Sequence, residues 1–253
     1  MSPRSVPRSG SADEQRLRLY GRRRGRRLRP GRRRLAETLL ADLRVPLDGA
    51  GPIDPAALFP FAPRVVRLEI GFGAGEHLAH QAKAEPDIGF IGCEAFVNGV
   101  AALLARIEAD RLANVRVLDD DARRLFGRLP AASLDRVVAY FPDPWPKTRH
   151  HRRRLIQRES LDEFARVLKA GGELRLATDH MEYARWMLAR VLGHPAFAWT
   201  ARGPRDWRER PQDSPETRYA AKARAARAPC VYLVFRRIGP GAGDLPRPVP
   251  GDI

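Results

Sequence analysis

Cysteine is nearly absent from this 253-residue chain, and the two present, Cys93 and Cys230, stand far apart with no CxxC spacing. That excludes a disulfide framework and a cysteine zinc site, and it fits a reducing compartment. No apolar run approaches the roughly 18 residues of a membrane-spanning helix, and the first residues carry arginine and proline where a secretion signal has an apolar stretch. The expectation is a cytoplasmic protein with neither membrane nor metal. Internal repeats are lacking too. Acid is in short supply: 30 Asp and Glu against 46 Lys and Arg leave a net charge of +16.

That imbalance is local. Residues 1–34 hold thirteen arginines against only Asp13 and Glu14. The segment Tyr20-Gly21-Arg22-Arg23-Arg24-Gly25-Arg26-Arg27-Leu28-Arg29-Pro30-Gly31-Arg32-Arg33-Arg34 cannot bury a core by itself, so residues 1–34 read as a flexible arm. Arginine interleaved with glycine suits forked contacts to phosphates and points to nucleic acid. A solubilising tail or a tether to an acidic membrane are the plainer alternatives. The remaining residues, 35–253, suffice for one α/β domain.

The stretch that organises this domain is Val65-Val66-Arg67-Leu68-Glu69-Ile70-Gly71-Phe72-Gly73-Ala74-Gly75-Glu76. A β-branched run ends in a carboxylate and a glycine-rich turn, the pattern of a strand feeding a loop and then a helix. Glycine is wanted at positions 71 and 73, where the backbone turns sharply and approaches a ligand. A dinucleotide fingerprint would place a small residue where Glu76 stands, at the helix mouth that takes the pyrophosphate. Glu76 would repel a diphosphate, whereas Glu69 beside the loop suits a ligand with ammonium and sulfonium groups. S-adenosylmethionine is therefore favoured over NAD, with a ligand-free turn as the plain alternative.

Around this stretch, a short helix is expected over Leu35–Leu43 and a connector from Val45 to Pro63. The helix Glu76–Lys83 leads to a second strand, Ile88–Glu94, whose terminal Glu94 lies 19 positions after Gly75, about where an acid holds ribose hydroxyls. Capping the next helix is its other possible role. That helix, Val97–Asp110, carries an apolar stripe and precedes strand Val115–Leu118. Asp119, Asp120 and Asp121 follow, any of which could read an adenine amino group or cap a helix over Ala122–Leu129.

Strand Leu134–Phe141 runs into the most unusual segment, Pro142-Asp143-Pro144-Trp145-Pro146-Lys147, followed by Thr148-Arg149-His150-His151-Arg152-Arg153-Arg154. Three prolines in five residues hold Asp143 in a stiff extended loop. Trp145 either offers a face for stacking a base or packs the loop, while Lys147 and the arginines suit phosphate. A helix over Leu155–Leu168, a stop at Lys169–Gly172 and a strand Glu173–Thr178 come next. Asp179 with Glu182 resembles a helix capping box. Helix Met181–Leu192 and strands Phe197–Thr200 and Cys230–Arg237 complete the pattern, with a second basic and aromatic cluster, Arg205 to Tyr219, in the intervening loop.

These residues together carry a resemblance. Leu68-Glu69-Ile70-Gly71-Phe72-Gly73, Gly92-Cys93-Glu94, Phe141 to Lys147 with Arg149 to Arg154, Ala177-Thr178-Asp179, Arg210-Pro211 and Thr217-Arg218-Tyr219 resemble the bacterial tRNA (guanine-N7)-methyltransferase family, in order from about Tyr20 to Arg237. The Pro-Asp-Pro-Trp segment is its most specific part. The resemblance implies a Rossmann-like class I methyltransferase fold with a mostly parallel seven-stranded sheet and helices on both faces. It implies methyl transfer from S-adenosylmethionine to N7 of the variable-loop guanine at tRNA position 46, with tRNA as the partner and no obligate protein partner. It assigns cofactor contacts to Glu69, Gly71, Gly73, Glu94, Asp121 and Asp143, choosing Asp121 among the three acids by its Asp-Ala pair. RNA or guanine contacts fall to Lys147, Asp179, Thr217, Arg218 and Tyr219. Ala220 stands where the family usually carries Glu, so a guanine-edge contact by that carboxylate is either missing here or supplied by Glu216. Guanine N7 already has a free lone pair, so alignment matters more than a strong base, and Asp143 is the candidate catalytic group supporting the cationic product.

Overall fold

The computed structural model describes residues 19–49, 51–225 and 228–239, without the side chains of Tyr219, Ala223 and Arg224. Residues 1–18, half of the expected arm, lie outside the described residues.

β-branched and apolar runs give seven strands: β1 Val66–Ile70, β2 Gly89–Cys93, β3 Val115–Leu118, β4 Leu134–Tyr140, β5 Leu168–Thr178, β6 Phe197–Trp199 and β7 Val231–Arg237. They form one sheet in the order β3-β2-β1-β4-β5-β7-β6. The first five are parallel, and β7 runs antiparallel between β5 and β6. Every residue of β1 and β2 is buried, as expected for parallel strands covered on both faces. The order reverses between β1 and β4, so a crevice opens outside the carboxyl ends of those two strands.

The helices are α1 Pro30–Glu37, α2 Leu39–Leu43, α3 Glu76–Ala84, α4 Val97–Asp110, α5 Arg123–Phe126, α6 Arg158–Val167, α7 Met181–Leu192, α8 Arg205–Arg208 and α9 Arg218–Ala225. One apolar layer packs Leu161 and Phe164 of α6 and Tyr183 and Met187 of α7 against Leu68, Val137, Leu174 and Phe235. A second packs Leu35, Leu40, Leu78 and Leu104 from α1 to α4 against Phe90, Val115 and Val117.

Four boundaries differ from expectation. The helix expected over Leu35–Leu43 begins at Pro30 and breaks at Thr38, so the last residues of the expected arm are its first turn. Proline at the first helical position has no N–H to lose and pre-sets φ, which explains the early start. The helix expected from Leu155 starts at Arg158, where Gln157 and Ser160 exchange side-chain caps, and a 3-10 turn covers Thr148–Arg153. Strand β5 begins at Leu168 because the expected stop, Lys169–Gly172, passes through a bulge against β4 with Gly171 at φ +80°. The helix expected over Ala122–Leu129 shrinks to Arg123–Phe126.

The turn after β1 is fixed by close packing. Gly71, Gly73 and Gly75 all have positive φ, and Gly75 begins α3 at φ +73°. Gly99 of α4 lies so near this turn that a Cβ there would come within 2.3 Å of the Gly73 carbonyl oxygen. Backbone cannot yield as a flexible side chain would. Gly99→Ala is therefore expected to cost about 1–3 kcal/mol of stability, read by denaturant unfolding, and to weaken ligand binding at the turn.

Candidate active site

The carboxyl ends of β1 to β5 form one rim. Gly71 and Gly73 follow β1, Glu94 follows β2, Asp121 follows β3, Asp143 follows β4 and Asp179 follows β5. Most residues singled out in the sequence thus meet at the edge where the strand order reverses.

Glu94 ties two of these loops together. One carboxylate oxygen accepts the Gly73 backbone N–H at 2.9 Å, and the other accepts the Phe96 N–H at 2.9 Å. So Glu94 accepts from the entry to α4, and its bond to Gly73 also shapes the glycine turn. Burial raises its pKa against the pull of those bonds, and the nearby Asp143 carboxylate adds to the rise. Asp143 stands at the surface of the rim, yet neighbouring protein removes enough water to raise its pKa too.

Strain sits in the same loop. Phe141 and Trp145, on either side of Pro142-Asp143-Pro144, have φ of 53° and 43°. Prolines restrict the residues between them, and Arg154 restrains the loop from below. The Arg154 side chain is fully buried; its Nε donates to the Pro144 carbonyl at 2.8 Å, its two Nη groups to Glu182, and its plane lies between Tyr183 and Trp186.

The other acids have local partners. Asp119 pairs with Arg44, Asp120 with Arg124, and Asp121 accepts from both the backbone and the guanidinium of Arg123. Asp179 is exposed and does not cap α7. His180 does, its Nδ1 accepting from the Tyr183 N–H, while Glu182 is drawn to Arg154. The capping box is therefore not formed, and Asp179 faces solvent at the rim.

Trp145 packs the loop. The rings of Tyr20 and His150 meet it edge-on, and the Arg153 guanidinium lies 5.0 Å above its ring. Lys147, Arg149 and Arg152 are exposed beside it. The Thr217 hydroxyl accepts the Ala220 N–H at the start of α9, and the Arg218 N–H donates to Glu76. The Tyr219 side chain lies outside the described residues, and Ala220 is buried. Glu69 is buried, its carboxylate 2.7 Å from His77 Nδ1 on the first turn of α3.

Three features were not legible from sequence. Asn98 clips the arm: its Oδ1 accepts the Gly25 N–H at 2.7 Å and its Nδ2 donates to the Arg26 carbonyl, while the Val97 N–H donates to Arg23. A Cβ on Gly21 would lie 4.0 Å from Asp143, so residues 20–26 cross the rim from Asp143 to α4. Gly25 was the only signal, since a Cβ there would meet Asn98 at 2.8 Å and Phe96 at 2.9 Å. Arg154 hid within an arginine run, and His77 on a helical face.

A parallel sheet with one antiparallel strand, β7, inserted beside its edge strand, a glycine turn at its switch point and acids after successive strands define a class I methyltransferase. A family profile described as "Putative methyltransferase" matches residues 63–232. The tRNA (guanine-N(7)-)-methyltransferase of Rhodospirillum rubrum is 52% identical over 230 residues, covering 90% of each chain. That of Paramagnetospirillum magneticum is 48% identical over 231 residues, covering 90% of this chain and 97% of its own. Among solved structures, the 16S rRNA methyltransferase KamB shares the fold at TM-score 0.50 and 18% identity, over 70% of this chain and 89% of that one. The chain belongs to the tRNA (guanine-N7)-methyltransferase family.

That class uses S-adenosylmethionine, and the rim fits it. Gly71 faces open space where a Cβ would meet nothing within 4 Å, and two neighbouring acids with raised pKa values await a cation. Both acids reprotonate at higher pH than ordinary carboxylates, so affinity for a cationic ligand should begin to fall, on acidification, above the usual 4.5 of a glutamate. Calorimetric titration with S-adenosylmethionine from pH 7.5 downward checks this. Glu94→Gln should weaken binding at pH 7.5 and flatten that acid limb.

Proposed function

We propose that this chain methylates N7 of the variable-loop guanine, position 46, of tRNA in the cytoplasm, using S-adenosylmethionine. What carries the reading is the juxtaposition of Glu94 and Asp143 on a rim flanked by Lys147, Arg149 and Arg152, together with relatives named for this reaction.

The cofactor, when bound, supplies an electrophilic methyl carbon on sulfur. Gly71 and Gly73 would let the backbone approach it, Glu69, Glu94 and Asp121 would hold its polar groups, and Asp143 would serve both cofactor and base. Lys147, Asp179, Thr217, Arg218 and Tyr219 receive the RNA and the guanine. A guanine held here would offer its N7 lone pair to that methyl carbon, and the positive charge carried by the sulfonium would then reside on the base. Asp143, already in a partly desolvated loop, stabilises that charge at its new position. No proton needs to leave N7, which is consistent with a site built of carboxylates.

The basic residues 1–34 serve as the arm that grips the polyanion, and residues 35–253 are the catalytic domain. The segment from Arg22 to Arg26 lies against the rim, so its charge is delivered where the RNA must enter.

Incubation with unmodified tRNA and labelled S-adenosylmethionine, then nuclease digestion, should yield 7-methylguanosine; label in any other nucleoside overturns the reading. Asp143→Asn should cut single-turnover methylation by about tenfold or more with the fold intact. Replacing Arg22, Arg23, Arg24 and Arg26 with serine should reduce the slope of log affinity against log salt by up to about 0.9 for each phosphate no longer neutralised, with cofactor affinity preserved.

A further inference from the structure

Three consecutive arginines at the end of the basic turn have three different surroundings. Arg152 is exposed, and the Arg153 guanidinium lies over the rings of both Tyr20 and Trp145. Arg154 turns inward: its side chain is wholly out of solvent, its Nε donates to the Pro144 carbonyl at 2.8 Å, and its two Nη groups donate to the two oxygens of Glu182. The ring centroids of Tyr183 and Trp186 lie 4.9 and 4.7 Å from its guanidinium carbon. One planar fork therefore holds two loops at once. Pro144 belongs to the loop after β4 that carries Asp143, and Glu182 belongs to the first turn of α7, three residues after Asp179 at the end of β5.

The same residue closes the basic turn. Its N–H donates to the His151 carbonyl at 3.1 Å, and Gln157 Nε2 donates to that carbonyl at 2.7 Å. Trp186, which covers the guanidinium, is itself fixed by its Nε1–H bond to the Ile156 carbonyl at 2.9 Å and by the His151 ring 5.2 Å away. An arginine removed from water gains little net stability even when paired, because desolvation offsets the attraction. What the pairing supplies is a fixed geometry across a loop in which Phe141 and Trp145 both hold positive φ, a conformation that persists only under outside restraint. Glu182 neutralises the cation, and Arg154 draws that carboxyl below the ordinary glutamate range. Burial alone shifts Asp143, and no neighbouring cation draws it back down.

We infer that Arg154 is a positioning residue that joins the basic turn Thr148–Arg153 to the Asp143 and Asp179 loops, so that a polyanion seated on Lys147, Arg149 and Arg152 brings its base to both carboxylates in one fixed relation. This rests on the proposed roles of those carboxylates toward the guanine. Being fully buried, Arg154 touches neither ligand and acts through Pro144 and Glu182. Lysine cannot take its place, since a single ammonium cannot reach one carbonyl and two carboxylate oxygens while stacking between two rings.

The test uses full-length Arg154→Lys, Glu182→Gln and the double variant, each at a temperature where circular dichroism shows it folded. With tRNA and S-adenosylmethionine both saturating, single-turnover methylation should fall about tenfold or more in Arg154→Lys, because alignment sets the rate of this transfer. Affinity for unmodified tRNA should stay within about twofold, with its salt slope unchanged, since the exposed cations are untouched. Amide hydrogen exchange, measured without ligands, should accelerate about tenfold or more at Phe141 and Tyr183, whose N–H groups bond to Ala177 and His180, and stay within about twofold at Gly75 and Glu94. The double variant should lose no more than the worse single one, because both cut one joint. An unchanged rate in Arg154→Lys, or unchanged exchange at Phe141 and Tyr183, overturns the inference. So does a loss confined to tRNA affinity, which would make Arg154 part of the grip, and so does exchange that accelerates equally over the whole sheet, which would make it a general prop. If Arg154→Lys fails to fold, Glu182→Gln, altered at a half-exposed carboxylate, carries the same measurements. Should the unaltered protein fail to methylate tRNA, the proposed activity falls, while exchange at Phe141 and Tyr183 still decides whether Arg154 joins the two loops.

Discussion

The rim depends on one half-buried carboxylate accepting two backbone N–H groups. Glu94 holds the turn after β1 through Gly73 and the start of α4 through Phe96. The same helix presses Gly99 against the Gly73 carbonyl, so the turn is held by a hydrogen bond on one side and by contact on the other. Placing an acid there is costly, because burial and the neighbouring Asp143 both oppose its ionisation. A bound cation relieves both, so the strain at the site is itself a form of ligand selectivity.

The charge of the molecule is divided between the strand ends and the segments beside them. Acids occupy the strand ends, while the arginine-rich segment and the turn Thr148–Arg153 lie beside them. Neither group neutralises the other completely. Arg153 stacks on Trp145 and Tyr20, Arg123 takes up Asp121, and Lys147, Arg149 and Arg152 remain exposed. Acidic and basic side chains therefore stay separate along one crevice instead of pairing off.

Strand positions were legible because short β-branched and apolar runs stood out between turns, and because four of the five parallel strands are followed by a glycine or an acid, Gly71, Glu94, Asp119 and Asp179. Consecutive parallel strands place their carboxyl ends side by side, so the strand-end residues fell on one rim, while Asp121 was singled out from Asp119 and Asp120 only by the family resemblance. Helix starts were less legible. Pro30 and Gln157 begin helices that apolar spacing placed elsewhere, and Gly171 carries a bulge that read as a stop. Contacts between distant segments could not be read at all: Asn98 with Gly25, Arg154 with Pro144, and Glu69 with His77 each depend on tertiary placement. His77 and Arg154 look like an ordinary helical histidine and one more arginine until burial shows otherwise. Trp145 shows the converse, a residue whose chemistry suggested ligand stacking and whose neighbours are the protein's own rings.

The reversed direction of β7 has an evolutionary corollary. Because β6 and β7 are antiparallel neighbours, the chain leaves the sheet after Trp199 and re-enters at Val231 on the same side, level with the end of β5. Everything from Thr200 to Cys230 is an excursion with both feet on one edge. Such an insert can be lengthened or exchanged at little entropic cost, since closure entropy grows only slowly with length. The excursion is nevertheless anchored to α3, through Asp213 to Gln81 and Arg218 to Glu76, so its length can vary only away from that turn.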